Sequence, residues 1–170
     1  MASALDVAKF FLATSEEPIT HLKLQKLCAY AQAVSCAYLG EKLFPEDVEM
    51  WKHGPVVREV YTVYKDYASD PIPAPPLDLS PFTLTQRLVL AGVNAHYAEV
   101  YEAVGLCIQS HKDFPKEFIG TNHILTVGKL KSAVQGSKIL QQLQDASRPF
   151  IKPDSFKAVP AEDFLNALAY

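Results

Sequence analysis

THLKLQKLCAYAQAVSCAYLG, residues 20–40, is the stretch that decides the fold. Leu24, Leu27, Ala31, Val34 and Tyr38 recur three and four residues apart, the period of a helix that buries one stripe. Thr20 brings a side-chain oxygen able to cap the first turn, and Gly40 can take the left-handed conformation that stops a helix. A long helix over about 21–39 is therefore the expected spine.

Upstream, Ser3 with Asp6 reads as a capping box opening a shorter helix through Leu5, Ala8, Phe11 and Leu12 that ends near Thr14. Downstream, residues 47–51 alternate polar with apolar and predict a short extended segment. Pro55 suits a first helical position, and Val57, Val60, Tyr61 and Tyr64 mark a helix over about 56–67. It should pack on the spine through Leu27, Ala31, Tyr61 and Tyr64. Residues 69–81, SDPIPAPPLDLSP, hold five prolines in thirteen positions. Each ring removes a donor and clashes with a preceding turn, so this is a stiff connector. Beyond it, Thr83 and Gln86 form another capping box, followed by Leu84 and Leu88, with a break at Gly92 and Asn94. Tyr97, Val100, Tyr101, Val104 and Ile108 predict one helix, with Pro115 past its end. Val127, Leu130, Val134, Ile139, Leu140 and Leu143 predict a last main helix, weakened by about 1 kcal/mol at Gly136 relative to alanine. The tail reads as irregular apart from an amphipathic piece at 161–170.

These elements describe a mainly α protein, a compact multi-helix domain with at most a short strand or hairpin near residues 47–52. Halves of fewer than about 90 residues are marginal alone, so residues 1–170 are read as one domain. Its parts are a helical half 1–68, the connector 69–81, a second helical half 82–148 and a tail 149–170. The hydrophobic share of 49% and charged share of 21% are those of a folded chain. Cys28, Cys36 and Cys107 are an odd number in apolar surroundings, which fits free thiols in the reducing cytoplasm. No stretch has the run of about 18 apolar residues of a membrane span, and the start lacks the pattern of an export signal.

The net charge of −3 is unevenly spread: −5 over residues 1–119, +4 over 120–157 and −2 over the last thirteen. A uniformly basic face would point to nucleic acid, and this distribution does not. The basic segment around Lys129 and Lys131 could meet an acidic partner or stand as a solvated face. Lys23 and Lys26, at i, i+3, read as a solvated or partner-facing basic edge. In WKHGPVV, Trp51 is a large anchor, His53 sits in a turn, and Gly54 before Pro55 fixes the direction of Arg58 and its neighbours. Tyr61, Tyr64, Tyr97 and Tyr101 have core spacing. Cys107 and His111 stand at i, i+4, which a thiol–imidazole nucleophile would use, yet Cys107 among Val104, Leu106 and Ile108 reads as a buried thiol. The five histidines show neither HExxH nor paired CxxC spacing, and no phosphate-cradling glycine loop is present, so no catalytic residue, metal or cofactor is assigned.

Three segments in order, DVAKFFL (6–12), ITHLKLQKLCAYAQA (19–33) and LFPEDVEMWKHGPVVREVYTVYKDY (43–67), closely resemble the bacterial Panacea family, also called SocA-like or GepA-like phage-associated proteins. In the second half SHKDFPKEF (110–118) has phenylalanine where the family usually has a Pro-Trp pair. The resemblance implies the antidote of a toxin–antitoxin pair, not an enzyme. Its partner is a cognate toxin, neutralised by direct binding or by handing it to a protease as an adapter. For such a partner the contact residues expected from the readings above are Lys23, Lys26, Trp51, His53, Arg58, Lys129 and Lys131, with Gly54, Pro55 and Tyr61 as the structural motif. The alternatives are a Cys/His hydrolase or transferase and a DNA-binding autoregulator.

Overall fold

A computed structural model describes residues 1–147, so the irregular tail and the amphipathic piece expected at 161–170 lie outside the described residues. Helix α1 (Ala4–Thr14) opens with the expected box: Ser3 Oγ accepts from the Asp6 N–H, and the Asp6 carboxylate accepts from the Ser3 N–H. Helix α2 (His21–Tyr38) is capped by Thr20, and Gly40 follows its end at φ 80°. It is no surface helix. Every residue from Lys23 to Cys36 is buried, and α1, α4 (Leu84–Val93), α5 (Ala103–Asp113), α6 (Val127–Val134) and α7 (Lys138–Ser147) pack on it.

Burial all round leaves the polar residues of α2 in need of partners, because an unpaired polar group in an apolar interior costs about 1–3 kcal/mol. Each one ties down a neighbouring segment. Gln32 donates to the Phe44 carbonyl at 2.8 Å and accepts from the N–H groups of Leu43 and Phe44. Ser35 donates to the Glu41 carbonyl at 2.9 Å. Lys23 Nζ donates to the Ala98 carbonyl at 2.6 Å. At the helix centre, Tyr30 donates to Asp113 Oδ2 at 2.6 Å while its ring stacks on Tyr97 at 4.0 Å.

The extended segment near 47–52 is one strand of a small sheet. β1 (Val48–Trp51) turns through Lys52 and His53 into β2 (Gly54–Val57), antiparallel, with Val48 opposite Val57 and Trp51 opposite Gly54. β3 (His123–Ile124) pairs with the other side of β1, giving the order β2-β1-β3. Here the expectation for Pro55 is corrected. Pro55 lies in β2, and α3 (Arg58–Tyr64) starts three residues later, continued by a 3-10 turn over Lys65–Tyr67. Gly54 at φ 90° is outside the helical region, and Val56 and Val57 are β-branched residues that favour extended backbone. An edge strand is also where a proline without an N–H is tolerated.

The proline-rich connector is anchored at both ends. The Ile72 N–H donates to the Ile19 carbonyl at 2.9 Å, and Phe82 meets Phe10 edge-on at 6.2 Å. α4 (Leu84–Val93) carries the Thr83–Gln86 box and runs into a π-helical turn over Asn94–Ala98. The single helix expected across Tyr97 to Ile108 is therefore two pieces, with α5 (Ala103–Asp113) beginning after the π-turn. α5 buries Leu106 and Ser110, whereas Val100, Val104 and Ile108 are exposed. The last main helix is also two, α6 (Val127–Val134) and α7 (Lys138–Ser147), because Gly136 at φ 72° ends the first. One continuous apolar cluster draws on segments before and after the connector. No helix among the described residues is long and apolar enough to cross a membrane.

Candidate interaction surface

The β1–β2 hairpin and α3 bring together the residues that a protein contact would use. On β1, Glu49 and Trp51 are two residues apart and so share a face. Trp51 Nε1 donates to Glu49 Oε2 at 3.0 Å. Arg58, at the first position of α3, reaches back to the same carboxylate with two bonds, Nε to Oε1 at 3.0 Å and Nη2 to Oε2 at 2.7 Å. Its guanidinium then lies over the Trp51 ring, 5.2 Å from the centroid. Tyr61, one turn along α3, meets the other rings: Trp51 at 4.8 Å and His21 at 5.2 Å.

Electrostatics follow from this arrangement. Burial raises the affinity of the Glu49 carboxyl for its proton, and the bonds from Arg58 and Trp51 with the Arg58 charge outweigh it, leaving the group below the usual carboxylate range. Arg58 keeps 58% of its side chain exposed, and Trp51 and Tyr61 are half-buried. Held in place yet reachable, Trp, Tyr and Arg are the side chains that dominate protein–protein contact energies, and their fixed rotamers lower the entropic cost of association.

The basic edge expected from Lys23 and Lys26 is absent from the surface. Lys23 is 5% exposed and Lys26 is fully buried. Lys26 Nζ donates to the Pro55 carbonyl at 2.9 Å, and its neighbour Gln25 accepts from the Val57 N–H at 2.9 Å. Burial pushes the Lys26 ammonium down to about 8, against the opposing influence of the Cys107 thiol. Gln25 also pairs with the ring of His21 at 3.1 Å. The helical period could not reveal this, because α2 is buried on all sides and no face of it is a solvent edge.

At the hairpin turn His53 is exposed, and Gly54 sits tightly against α5. A Cβ there would stand 3.0 Å from His111 Cδ2 and 3.1 Å from Ser110 Oγ. Cys107, expected to be buried, is half-exposed, because the apolar neighbours Val104 and Ile108 lie on the outer side of α5. Its thiol points to the His53 carbonyl at 3.4 Å, while His111 Nε2 is buried without a hydrogen-bond partner. No hydrogen bond joins Cys107 to His111 as a nucleophile and its base would require. Lys129 Nζ lies over the Phe118 ring at 4.0 Å, and Phe118 stacks on His123 of β3. Lys131 is half-buried, near enough to Cys36 of α2 to act on its thiol. Arg148, Lys152 and Lys157 of the basic segment lie outside the described residues. Among the described residues no group of three or more His, Cys, Asp or Glu is placed to hold a metal ion.

Sequence reasoning missed Glu49, which organises the surface. The signal available was its i, i+2 spacing to Trp51 within the strand pattern.

Residues 24–86, just over a third of the chain, match the family model described as antitoxin SocA-like, Panacea domain. The matched segment runs from α2 through the hairpin and α3 to the start of α4, so the resemblance read from LKLQKL and WKHGPVV holds there. No curated protein and no solved structure matches the chain.

Proposed function

We propose that this protein is an antitoxin that neutralises a cognate toxin protein by direct binding, with Trp51, Arg58 and Tyr61 at the contact. The observation that carries this reading is coincidence of place: the segment that matches the antitoxin family model holds the fixed, reachable aromatic–arginine cluster of the hairpin. His53 at the exposed turn and Lys129 beyond β3 extend the contact. Lys23 and Lys26 act from inside rather than touching the toxin, Lys26 by holding the hairpin and Lys23 by holding the π-turn. The protein works in the cytoplasm, where its three free cysteines stay reduced.

Co-expression with the gene beside it in its own genome tests the proposal. Restored growth together with co-purification of the two proteins supports it. Growth arrest unrelieved by co-expression, with no complex isolated, overturns it. Toxin abundance in the rescued cells separates the two routes: a steady level means blocking, and a level that falls only in the presence of this protein means delivery to a protease.

A further inference from the structure

A groove of about 760 Å³ that no hairpin residue lines is walled by helices, the π-turn and Leu77 and Leu79 of the connector. Phe10, Leu79, Ile139 and Leu143 make its lining apolar. Val100 stands at its lip, 65% exposed, and the chain that leaves Val100 runs directly into α5, where Val104 and Ile108 are 66% and 55% exposed one turn apart. Isolated exposed apolar side chains are ordinary, but a run of three that starts at the lip of an apolar groove marks a surface that another molecule covers.

Acidic side chains outnumber basic ones at this groove. Glu16 and Glu99 line it, Glu17 and Glu102 lie close by in the chain, and all four are exposed. None forms a salt bridge among the described residues. Lys23 feels Glu99, Glu17 and Glu102 but is buried and donates to the Ala98 carbonyl. Arg87 in the lining is engaged as well, by the carbonyls of Phe82 and Leu79. The π-turn contributes Asn94 and His96 to the lining, and such turns recur at functional sites.

We infer that this groove receives an amphipathic, basic helix of a partner protein. The apolar side chains of that helix enter the groove and meet Val104 and Ile108, and its lysines or arginines face Glu16, Glu17, Glu99 and Glu102. A helix is the fitting occupant because walls built from helices, the π-turn and a connector without a β-strand offer no strand ladder to an extended peptide, so side chains must supply the contact. These carboxylates, Glu99 held by the Glu16 N–H and the Asn94 amide and none of them in a salt bridge among the described residues, set its orientation and speed its encounter. The inference goes beyond toxin neutralisation through the hairpin, uses none of the same residues and stands or falls separately.

The test is anisotropy titration of the full chain with a labelled leucine–lysine helix of about five turns, against a leucine–glutamate helix of equal length. The basic peptide should bind and the acidic one should not. Glu16→Lys with Glu102→Lys, whose side chains make no hydrogen bond here, should weaken binding about tenfold or more, as should Val104→Asp with Ile108→Asp. Asp66→Lys with Asp70→Lys, exposed carboxylates outside the groove, should leave it unchanged. Equal losses from both charge pairs, or equal binding of both peptides, overturn the inference. So does a dimer in light scattering that the Val104 and Ile108 pair dissociates, since the surface then belongs to a second copy. The Glu16 and Glu102 pair keeps the test decisive if the aspartate pair does not fold.

Discussion

Lys26, fully buried in α2, donates from Nζ to the Pro55 carbonyl at 2.9 Å, and beside it Gln25 accepts from the Val57 N–H at 2.9 Å. Together they cover the outer edge of β2, whose backbone groups face away from β1. LKLQKL and HGPVV, separated by more than twenty residues, are thus two halves of one joint. A strand edge buried without such partners would leave donors and acceptors unmet.

The joint carries a pH signature. Burial lowers the Lys26 pKa to about 8, while in the unfolded chain it returns to about 10.4. Between these values the unfolded state binds more protons than the folded one, so stability rises with pH. The penalty for burying the charge is fully present below pH 8 and is relieved above it. The stability difference between the natural protein and Lys26→Met should shift by about 1 kcal/mol in favour of the natural protein from pH 7 to pH 9. Urea denaturation of both at the two pH values measures it, and the subtraction removes the titration of the buried tyrosines and cysteines. A constant difference would mean that Lys26 is not desolvated as described.

Gln25→Leu keeps the volume and removes the acceptor for the Val57 N–H. The stranded donor should lower stability by about 1–3 kcal/mol, read as a lower denaturation midpoint at unchanged m-value.

Gly40 and Gly54 both have positive φ, 80° and 90°, but different surroundings. Nothing lies within 4 Å of a Cβ at Gly40, whereas one at Gly54 meets His111 and Ser110 near 3.0 Å. Gly40→Ala should therefore cost about 1 kcal/mol, the conformational penalty alone. Gly54→Ala adds displacement of α5 from the hairpin and should melt at a clearly lower temperature. Equal melting temperatures would show that the contact yields freely.

Much of the fold was legible because it follows from local chemistry. Ser3 with Asp6, Thr20, and Thr83 with Gln86 announced three helix starts, and the structure uses all three. Gly40 stopped its helix as its type predicts. The failures came where tertiary contact outvoted period. Val100, Val104 and Ile108 have helical spacing but face outward, because the inner side of α5 is set by Leu106 and Ser110 against the hairpin and α2. The Lys23 and Lys26 face was misread since wheel position identifies solvent only when a helix has a solvent side. Glu49 escaped notice because its partner Arg58 belongs to another element, and a hairpin must form before the two meet.

The three thiols differ in access. Cys28 and Cys36 are buried and burial pushes both thiols up, while Cys107 is half-exposed beside the hairpin turn. One thiol per chain should react with a disulfide reagent in the native protein and three after denaturation. Cys107→Ser should abolish the native reaction. Two or three native equivalents would contradict the burial of α2.

The final prediction separates folding from binding at Arg58. Arg58→Glu places a second carboxylate against Glu49, which is only 8% exposed, so the variant should lose both hairpin stability and neutralisation. The swap Glu49→Arg with Arg58→Glu restores an opposite-charge pair while moving the arginine from α3 to β1 and off its position over Trp51. If the toxin reads the guanidinium over the indole, the swap should recover the melting temperature but not the growth rescue. Because the folded-state pKa of Glu49 is depressed, its contribution is present above the unfolded carboxylate range and lost as pH falls through the folded value. Acid melts should therefore show Arg58→Ala losing less stability on acidification than the natural protein. Recovery of both melt and rescue by the swap would make the pair a hinge pin for the hairpin and move the toxin contact to Tyr61 and His53.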